Sequence, residues 1–430
     1  MKEVENLPYM LFADKAGRIY DHPYYRMAGF SGLTPCPINP DELIPMPQFS
    51  KLFYLPDCPP IGLDPETGKY VVVPYAEIGG KKEKIFAVAA FPEPGIVRTH
   101  IPAADYSKKR YLLPAWAYTA VGFKDGRYWI CGFWIEKNYK WDPRNYDDRK
   151  LLRKIKEYTS SHPSGRLIRH LIDCALRNHC FAAKNLFFRR WEAPLPVSRT
   201  CNARCLGCLS FQPKGSFPAS HERIRFTPSK EEIVEIAVSH LESAPDAIVS
   251  FGQGCEGEPL MEYKLIAESI KEIRKRTKKG VINLNTNGSD PEKIKVIAES
   301  GLDSIRISLN SVRPQLYRAY YRPKDYDYED VIKSIRVSKE MGLYTMINYL
   351  IFPGISDQKE EISLLKELIK ETKVDFIHLK NLCIDPVLYV KNMPAPKVPG
   401  IGIKKMADII KSCFPDIELG YFNRYPSYST

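Results

Sequence analysis

Residues 200–208 read Thr-Cys-Asn-Ala-Arg-Cys-Leu-Gly-Cys, which sets Cys201, Cys205 and Cys208 at Cys-x3-Cys-x2-Cys spacing. Three thiolates this close along the chain can converge from one loop on a single metal centre. A 4Fe–4S cluster held by three cysteines keeps one iron free to bind a small molecule. Zinc is the alternative, with His221 as its fourth ligand. The loop therefore predicts a metal or cluster site and leaves the choice between the two open.

The composition indicates a folded protein of more than one domain. The chain has 430 residues, of which 44% are hydrophobic, and this length favours two or three domains. We find no apolar run long enough to span a bilayer, and residues 1–5 lead into no signal core. We therefore expect a cytoplasmic protein without a membrane partner. In that compartment the eleven cysteines indicate metal ligands and buried thiols rather than disulfides.

Residues 1–145 predict a β-rich domain that serves substrate recognition. Fourteen prolines fall among the first hundred residues, and proline favours loops, short strands and sheet edges. The clearest hairpin spans residues 120–135, where Asp125-Gly126 is the turn. Residues 386–430 predict a C-terminal extension with a helical pattern at 403–413 and a strand-like stretch at 417–422.

Residues 146–190 predict a basic helical connector. Its helices are expected at 147–159 and 166–183, separated by stop and cap residues. Between Arg149 and Arg190 there are eleven Lys or Arg residues and two acids. This excess is typical of a surface that binds RNA or an acidic partner. The alternative is a pair of helices with solvated basic faces.

From residue 191 to 385 the pattern becomes a strict alternation of strands and helices. We predict strands at 193–198, 247–252, 281–286, 304–310, 344–352 and 375–380. Amphipathic helices are predicted at 229–241, 263–277, 291–300, 328–341 and 359–371. Such alternation is typical of βαβ units in a parallel sheet. Six strands are too few for an eight-stranded barrel, so the predicted fold is α/β with a partial, splayed (β/α)6 TIM-type barrel.

Polar residues and glycines follow the predicted strands, where parallel α/β folds bind their ligands. After the cysteine loop come residues 252–260 (Gly-Gln-Gly-Cys-Glu-Gly-Glu-Pro-Leu), 285–288 (Asn-Thr-Asn-Gly), 308–311 (Ser-Leu-Asn-Ser), Asn348 with 352–357, and 380–385. These segments predict one rim that binds a polar, charged small molecule.

Taken together, these motifs resemble the radical SAM superfamily over residues 191–385. The resemblance rests on the three-cysteine loop, on Gly257-Glu258-Pro259 and on the six-strand pattern. Residues 285–288, 307–310 and 353–355 look most like the pyruvate formate-lyase activating enzymes and the molybdenum-cofactor cyclases. The family's aromatic residue before the third cysteine is replaced by Gly207, so Phe211 is expected to cover the adenine instead.

The resemblance implies a role for each rim residue. Three irons of a 4Fe–4S cluster would bind Cys201, Cys205 and Cys208, and the fourth iron would bind S-adenosylmethionine. The methionyl amine would lie near Gly257 and Glu258, with Glu256 standing where the family has glycine. The remaining cofactor-binding candidates, for carboxylate or ribose, are Asn285, Thr286, Ser308, Asn310, Arg318 and Asn348. For Arg318, a guanidinium fork suits a carboxylate, and a solvent-facing helix position is the alternative.

Further cysteines offer additional chemistry. Cys255 and Cys383 follow strands on the rim, where either could donate hydrogen or bind substrate; the alternative is a buried core thiol. A possible auxiliary iron–sulfur cluster would use Cys36, Cys58, Cys174 and Cys180, and Cys36 and Cys58 stand beside prolines as in cluster-binding loops.

The resemblance implies an oxidoreductase that works anaerobically with a reductant such as flavodoxin or ferredoxin. Reductive cleavage of S-adenosylmethionine would give a 5′-deoxyadenosyl radical, which abstracts hydrogen from a substrate. The kinship with activating enzymes favours a protein or peptide substrate. RNA bound through the basic helices is the second hypothesis, and a non-catalytic iron–sulfur or zinc protein is the third.

Overall fold

A computed structural model describes residues 2–162, 165–214, 216–396 and 398–425. The chain divides into two compact units, each discontinuous in sequence. The first comprises Met1–Lys137, Ile351–Lys366 and Leu379–Pro415, and the second comprises Asn138–Leu350, Glu367–His378 and Asp416–Thr430. The linear division at residues 145, 190 and 385 stays a prediction.

Short strands dominate the N-terminal part of the first unit. They are β1 Tyr9–Ala13, β2 Ile19–Arg26, β3 Gly29–Ser31, β4 Thr34–Cys36, β5 Leu43–Pro45, β6 Lys51–Leu55, β7 Ile61–Leu63, β8 Tyr70–Val72, β9 Tyr75–Ile78, β10 Lys81–Lys84, β11 Phe86–Phe91, β12 Ile96–Arg98, β13 Ile101–Pro102, β14 Val121–Lys124 and β15 Arg127–Trp134. Ten of them form one antiparallel sheet, whose main path runs β12-β15-β14-β1-β2-β7-β8. The predicted β-rich character is therefore confirmed.

The hairpin of β14 and β15 forms as its turn sequence predicts. Asp125 and Gly126 both have positive φ, 52° and 74°, as a two-residue type I′ turn requires. Lys124 then pairs with Arg127. Leu11, Ala13 and Ile130 belong to one apolar cluster. Met10 and Phe12, which point to the opposite face of β1, belong to another, so this strand is buried on both faces.

The second unit is built on a parallel sheet whose strands pair in sequence order. Its strands are β16 Glu192–Pro194, β17 Ile248–Phe251, β18 Val281–Thr286, β19 Ser304–Leu309, β20 Tyr344–Ile351, β21 Phe376–Asn381 and β22 Glu418–Gly420. All six predicted strands are confirmed within a few residues. The predicted count is wrong, because the strand-like C-terminal stretch adds β22, where Phe376 pairs with Glu418. The result is a mixed α/β fold with a parallel sheet, consistent with a partial TIM barrel.

Helices connect these strands and form the connector. They are α1 Lys2–Glu5, α2 Leu151–Ser161, α3 Arg166–Leu176, α4 Phe181–Phe188, α5 Lys230–Ser243, α6 Tyr263–Arg276, α7 Pro291–Ala298, α8 Pro314–Tyr321, α9 Tyr328–Glu340, α10 Lys359–Thr372, α11 Pro386–Asn392 and α12 Ile403–Cys413. Among the described residues, no helix is long and apolar enough to cross a membrane.

The single helix predicted over residues 166–183 is in fact two. The chain breaks between α3 and α4, where His179 adopts φ 49°, and the following Cys180 is the N-cap residue of α4. At its N-terminal end, α3 is hydrogen-bonded to α5 of the second unit. The N–H of Leu167 donates to Glu232 Oε1 at 3.2 Å, and Glu232 also completes the capping box of α5 with Ser229.

Candidate active site

The cysteine loop follows β16 and is fastened on one side by α8. The backbone N–H groups of Arg204 and Leu206 donate to the carbonyls of Tyr321 and Tyr320, each at 2.9 Å. These carbonyls lie at the C-terminal end of α8, where the last helical carbonyls have no partner within the helix. The end of α8 therefore sets the path of the loop between its first and second cysteines.

The segment after β17 holds the loop from the other side. The N–H of Gly257 donates to Ser198 O at 2.6 Å, and that of Glu258 donates to Thr200 O at 2.8 Å. A Cβ atom on Gly257 would lie 1.9 Å from Thr200 O, far inside any van der Waals contact. Glycine is therefore required here because two backbones approach each other closely.

The three cysteines of the loop are half-buried, and their thiols lie close enough to influence one another. Burial is the main cause that raises the pKa of Cys201, to about 11. Burial also raises the pKa of Cys205 well above its ordinary value, and the nearby Cys208 and Cys201 add to this effect. Such thiols become thiolates only when a metal compensates their charge. The site therefore suits metal binding rather than a free reactive thiolate.

Glu258 joins the ends of β17 and β18. One carboxylate oxygen accepts the Thr286 hydroxyl and the N–H of Leu260, and the other accepts the N–H of Asn287 at 2.9 Å. The Asn287 side chain then donates to Asn202 Oδ1, inside the cysteine loop, at 2.9 Å. Burial raises the pKa of Glu258 to about 7. This network brings the ends of three neighbouring strands together, as predicted from the rim.

Glu256 holds the backbone of this segment together. Its carboxylate accepts four backbone N–H bonds, from Val197 (2.8 Å), Ser198 (3.0 Å), Gly252 (2.6 Å) and Gln253 (2.9 Å). The side chain is buried, and burial raises its pKa to about 7 against the effect of those donors. Because its oxygens are taken by the backbone, we place Glu256 among the supporting residues, which differs from the predicted place on the open rim.

The asparagines that were predicted to bind the cofactor differ in their hydrogen bonds. The amide of Asn285 donates to Phe251 O at 3.0 Å, and that of Asn310 donates to Leu316 O at 3.2 Å, so both support neighbouring backbone. The Asn348 amide donates to Ser308 Oγ at 3.2 Å. Its buried Oδ1 has no hydrogen-bond partner among the described residues. An acceptor left in this state fits a ligand hydroxyl, as the resemblance implies for the ribose.

Arg318 does not lie in this network. Its guanidinium donates to Asp327 Oδ1 at 2.6 Å and approaches Glu329 at 3.2 Å. The side chain is 43% exposed. The structure thus matches the solvent-facing alternative, and the carboxylate-binding role stays a prediction without geometric support.

The two candidate catalytic cysteines have separate environments. Cys255 is buried, and its thiol lies against Cys174 and His170. Cys383 belongs to the first unit, where its thiol donates to Asn381 O at 3.6 Å. A role in hydrogen donation stays a prediction for both.

The four cysteines of the possible auxiliary cluster are divided between the two units. In the first unit Cys36 donates to Gly29 O at 3.8 Å, and Cys58 lies 4.0 Å from the Tyr111 hydroxyl. The remaining pair, Cys174 and Cys180, belongs to the second unit. The auxiliary cluster therefore stays a prediction.

Arg223 is a site residue that the sequence did not reveal. Its Nη2 lies 3.6 Å from Cys208 Sγ, and its Nε donates to Ser210 Oγ at 3.1 Å. Its guanidinium also lies over the ring of Phe211, 5.2 Å from the centroid. Phe211 is 57% exposed and lines a cavity of about 740 Å³ with Arg199 and Arg223. No motif spacing marks Arg223, which reaches the loop only through the fold.

The comparisons with known proteins agree with this geometry. The profile described as the radical SAM superfamily matches residues 195–365. Residues 195–365 form a radical SAM domain. Its cofactors are a 4Fe–4S cluster and S-adenosylmethionine, and the three loop cysteines with the orphaned Asn348 acceptor fit them.

Two curated relatives and one solved structure are similar to parts of this chain. A GTP 3′,8-cyclase of Petrotoga mobilis is 29% identical over 42% of this chain and 53% of its own length. A probable dual-specificity RNA methyltransferase of Thermotoga petrophila is 29% identical over 29% of this chain and 37% of its own. SuiB of Streptococcus suis, solved with S-adenosylmethionine, is 13% identical with a TM-score of 0.38, covering 64% of this chain and 61% of SuiB. The chain thus spans about half the length of the first relative.

Proposed function

We propose that this enzyme cleaves S-adenosylmethionine reductively and abstracts hydrogen from a protein or peptide substrate. When bound, the cluster and S-adenosylmethionine supply a 5′-deoxyadenosyl radical. The observation that carries the proposal is the Glu258–Asn287–Asn202 hydrogen-bond chain. It couples the three-cysteine loop to the polar ends of the next two strands.

Within this site each residue has a positioning task. The cysteine thiolates would hold the cluster, and the Gly257 backbone and the Glu258 carboxylate would bind the methionyl amine. Asn348 Oδ1 would accept a ribose hydroxyl. Tyr317, whose hydroxyl donates to that of Tyr326 at 3.2 Å, is buried on α8, the helix whose C-terminal carbonyls accept hydrogen bonds from the cysteine loop. Buried rings on this side of the loop would keep water away, which protects a radical from side reactions.

The N-terminal sheet supports a peptide substrate. Among the described strands β6 pairs only with β11, so its other edge is unpaired. Phe53 on this strand is 44% exposed and Tyr54 is 37% exposed. An unpaired edge can accept an extended peptide by strand addition, and exposed aromatic side chains add affinity.

RNA is the second candidate, favoured by the basic connector and by the name of one relative. Part of the positive charge of the connector is neutralised by ion pairs within the protein. At least six of its eleven basic side chains form ion pairs, including the buried Lys184 with Asp148. Neutralised cations contribute little to phosphate binding. The geometry therefore favours the peptide over RNA.

The test uses a deuterated extract of the source organism, incubated anaerobically with reconstituted enzyme, dithionite and S-adenosylmethionine. Deuterium in the 5′-deoxyadenosine reports abstraction from a molecule in the extract. We expect protease treatment of the extract to abolish this deuterium and nuclease treatment to leave it. The reverse result would establish RNA, and a steep loss with added salt would accompany it. Absence of 5′-deoxyadenosine in every arm would favour the non-catalytic iron–sulfur or zinc protein.

The reductant, the cellular location and the conditions of the reaction are also proposed. We expect flavodoxin or ferredoxin as the physiological reductant, because the cluster needs one electron at low potential. A cytoplasmic location and anaerobic oxidoreductase activity stay predictions.

A further inference from the structure

A second group of metal-ligating side chains lies in the same unit as the radical SAM site. The ligand atoms of His170, Cys174 and Cys255 all lie within 4.8 Å of one another. His170 Nε2 is 3.6 Å from Cys174 Sγ. His170 and Cys174 stand four residues apart on α3, so they share one face of that helix. Cys255 comes from the segment after β17, on a different element.

We propose that these three side chains bind a zinc ion, independently of the radical SAM cofactors. Two thiolates and one imidazole form a set of soft and borderline ligands that zinc prefers. Tetrahedral bonds of about 2.0–2.3 Å hold neighbouring ligand atoms about 3.5–4 Å apart. The observed convergence within 4.8 Å therefore needs only small side-chain movements to close on an ion.

Two nearby residues can complete the tetrahedron. His221 Nδ1 lies 3.0 Å from Ser220 Oγ, which fixes the ring as a supporting residue fixes a metal-binding histidine. Cys180 is tied to the same helix, because its N–H donates to Cys174 O at 3.1 Å. A Cβ atom added to Gly254, next to Cys255, would lie 4.0 Å from His221 Nδ1, so this ring lies beside the segment that carries Cys255. One of them supplies the fourth ligand.

The position of this site gives the metal a structural role. Cys255 precedes Glu256 and Gly257, whose backbone contacts shape the S-adenosylmethionine site. Its carbonyl accepts the N–H of Ile224 at 2.8 Å, from the segment that carries Arg223. A zinc ion would therefore link α3 of the connector to the segment after β17 and fix it against the cysteine loop.

The test removes the iron–sulfur cluster so that only the second site can bind metal. The variant with Cys201, Cys205 and Cys208 all changed to Ala is purified anaerobically and titrated with Co²⁺, which reports thiolate coordination by its absorption. We expect about one Co²⁺ per chain, with tetrahedral thiolate bands and displacement by Zn²⁺. Adding Cys174→Ser and Cys255→Ser should weaken binding at least ~100-fold. Adding Cys413→Ser, at an exposed cysteine, should leave it unchanged.

Three outcomes would overturn the proposal. The first is less than about a tenth of an equivalent of thiolate-bound Co²⁺ in the triple variant. The second is a Co²⁺ spectrum that the Cys174 and Cys255 changes leave intact. The third is a Cys174–Cys255 disulfide, detected by alkylation and mass spectrometry, in the freshly isolated protein. If the cysteine variants fail to fold, His170→Ala keeps both thiols, and it should still weaken Co²⁺ binding at least tenfold.

Discussion

Gly257→Ala tests the close approach between the segment after β17 and the cysteine loop. The new Cβ would lie 1.9 Å from the Thr200 carbonyl oxygen and 2.6 Å from its carbonyl carbon. Both atoms are backbone, so no side-chain rotation relieves the clash. The N–H of Gly257 meanwhile donates to Ser198 O, which keeps the two segments together.

The size of the effect follows from these distances. Nonbonded carbon atoms rest about 3.5 Å or more apart, so the loop and the segment must separate by roughly 1–1.5 Å. A misplacement of about 1 Å in a catalytic arrangement lowers the rate about 100-fold. We therefore expect Gly257→Ala to reduce 5′-deoxyadenosine formation at least 100-fold.

The assay follows 5′-deoxyadenosine by liquid chromatography after anaerobic reconstitution, with iron content and thermal melting measured on the same samples. Gly254→Ala is the matched control from the same segment, because the nearest atoms to its added Cβ are 4.0 Å away. We expect the control to keep its rate within about threefold of the parent. A Gly257→Ala protein with parental activity would refute the close-contact argument.

Three other substitutions test supporting residues. Arg223→Gln removes a cation beside Cys208, so we expect the cluster potential in protein-film voltammetry to fall by several tens of millivolts, whereas the exposed Arg225→Gln should not shift it; equal potentials would contradict a role for Arg223. Asn348→Leu removes the buried acceptor, and we expect the Kd of S-adenosylmethionine by calorimetry to rise about five- to tenfold; an unchanged Kd would place the ribose elsewhere. Glu256→Ala leaves four backbone donors without an acceptor, so the free energy of unfolding in urea should fall by about 3 kcal/mol or more. A loss below about 1 kcal/mol would show that these four hydrogen bonds do not stabilise the fold.

The sequence predicted the parallel sheet because each strand and helix has its own periodicity and boundary residues. Val281–Thr286 begins and ends where the pattern indicates. The strand β22 was recognised as a strand but not as part of the sheet. Periodicity reports local structure, whereas the neighbour of a strand depends on the path of the intervening chain.

The residues of the site also divide into those that the sequence predicts and those that only the fold brings together. The cysteine loop and Gly257-Glu258-Pro259 could be predicted because their ligands are close together in sequence. The neighbourhood of Cys255 could not, because His170 and Cys174 come from a helix about eighty residues earlier. The four backbone bonds of Glu256 were also invisible in the sequence, since a glutamate on a rim gives no sign of which way it points.

The central claim is that Cys201, Cys205 and Cys208 hold a 4Fe–4S cluster whose fourth iron binds S-adenosylmethionine. Electron–nuclear double resonance on the dithionite-reduced protein tests it, with S-adenosylmethionine carrying ¹⁷O in its carboxylate. We predict a ¹⁷O hyperfine coupling in the parent protein, and neither cluster signal nor coupling when the three cysteines are changed to Ala. A reduced cluster in the parent protein that shows no coupling to the labelled carboxylate would contradict the claim.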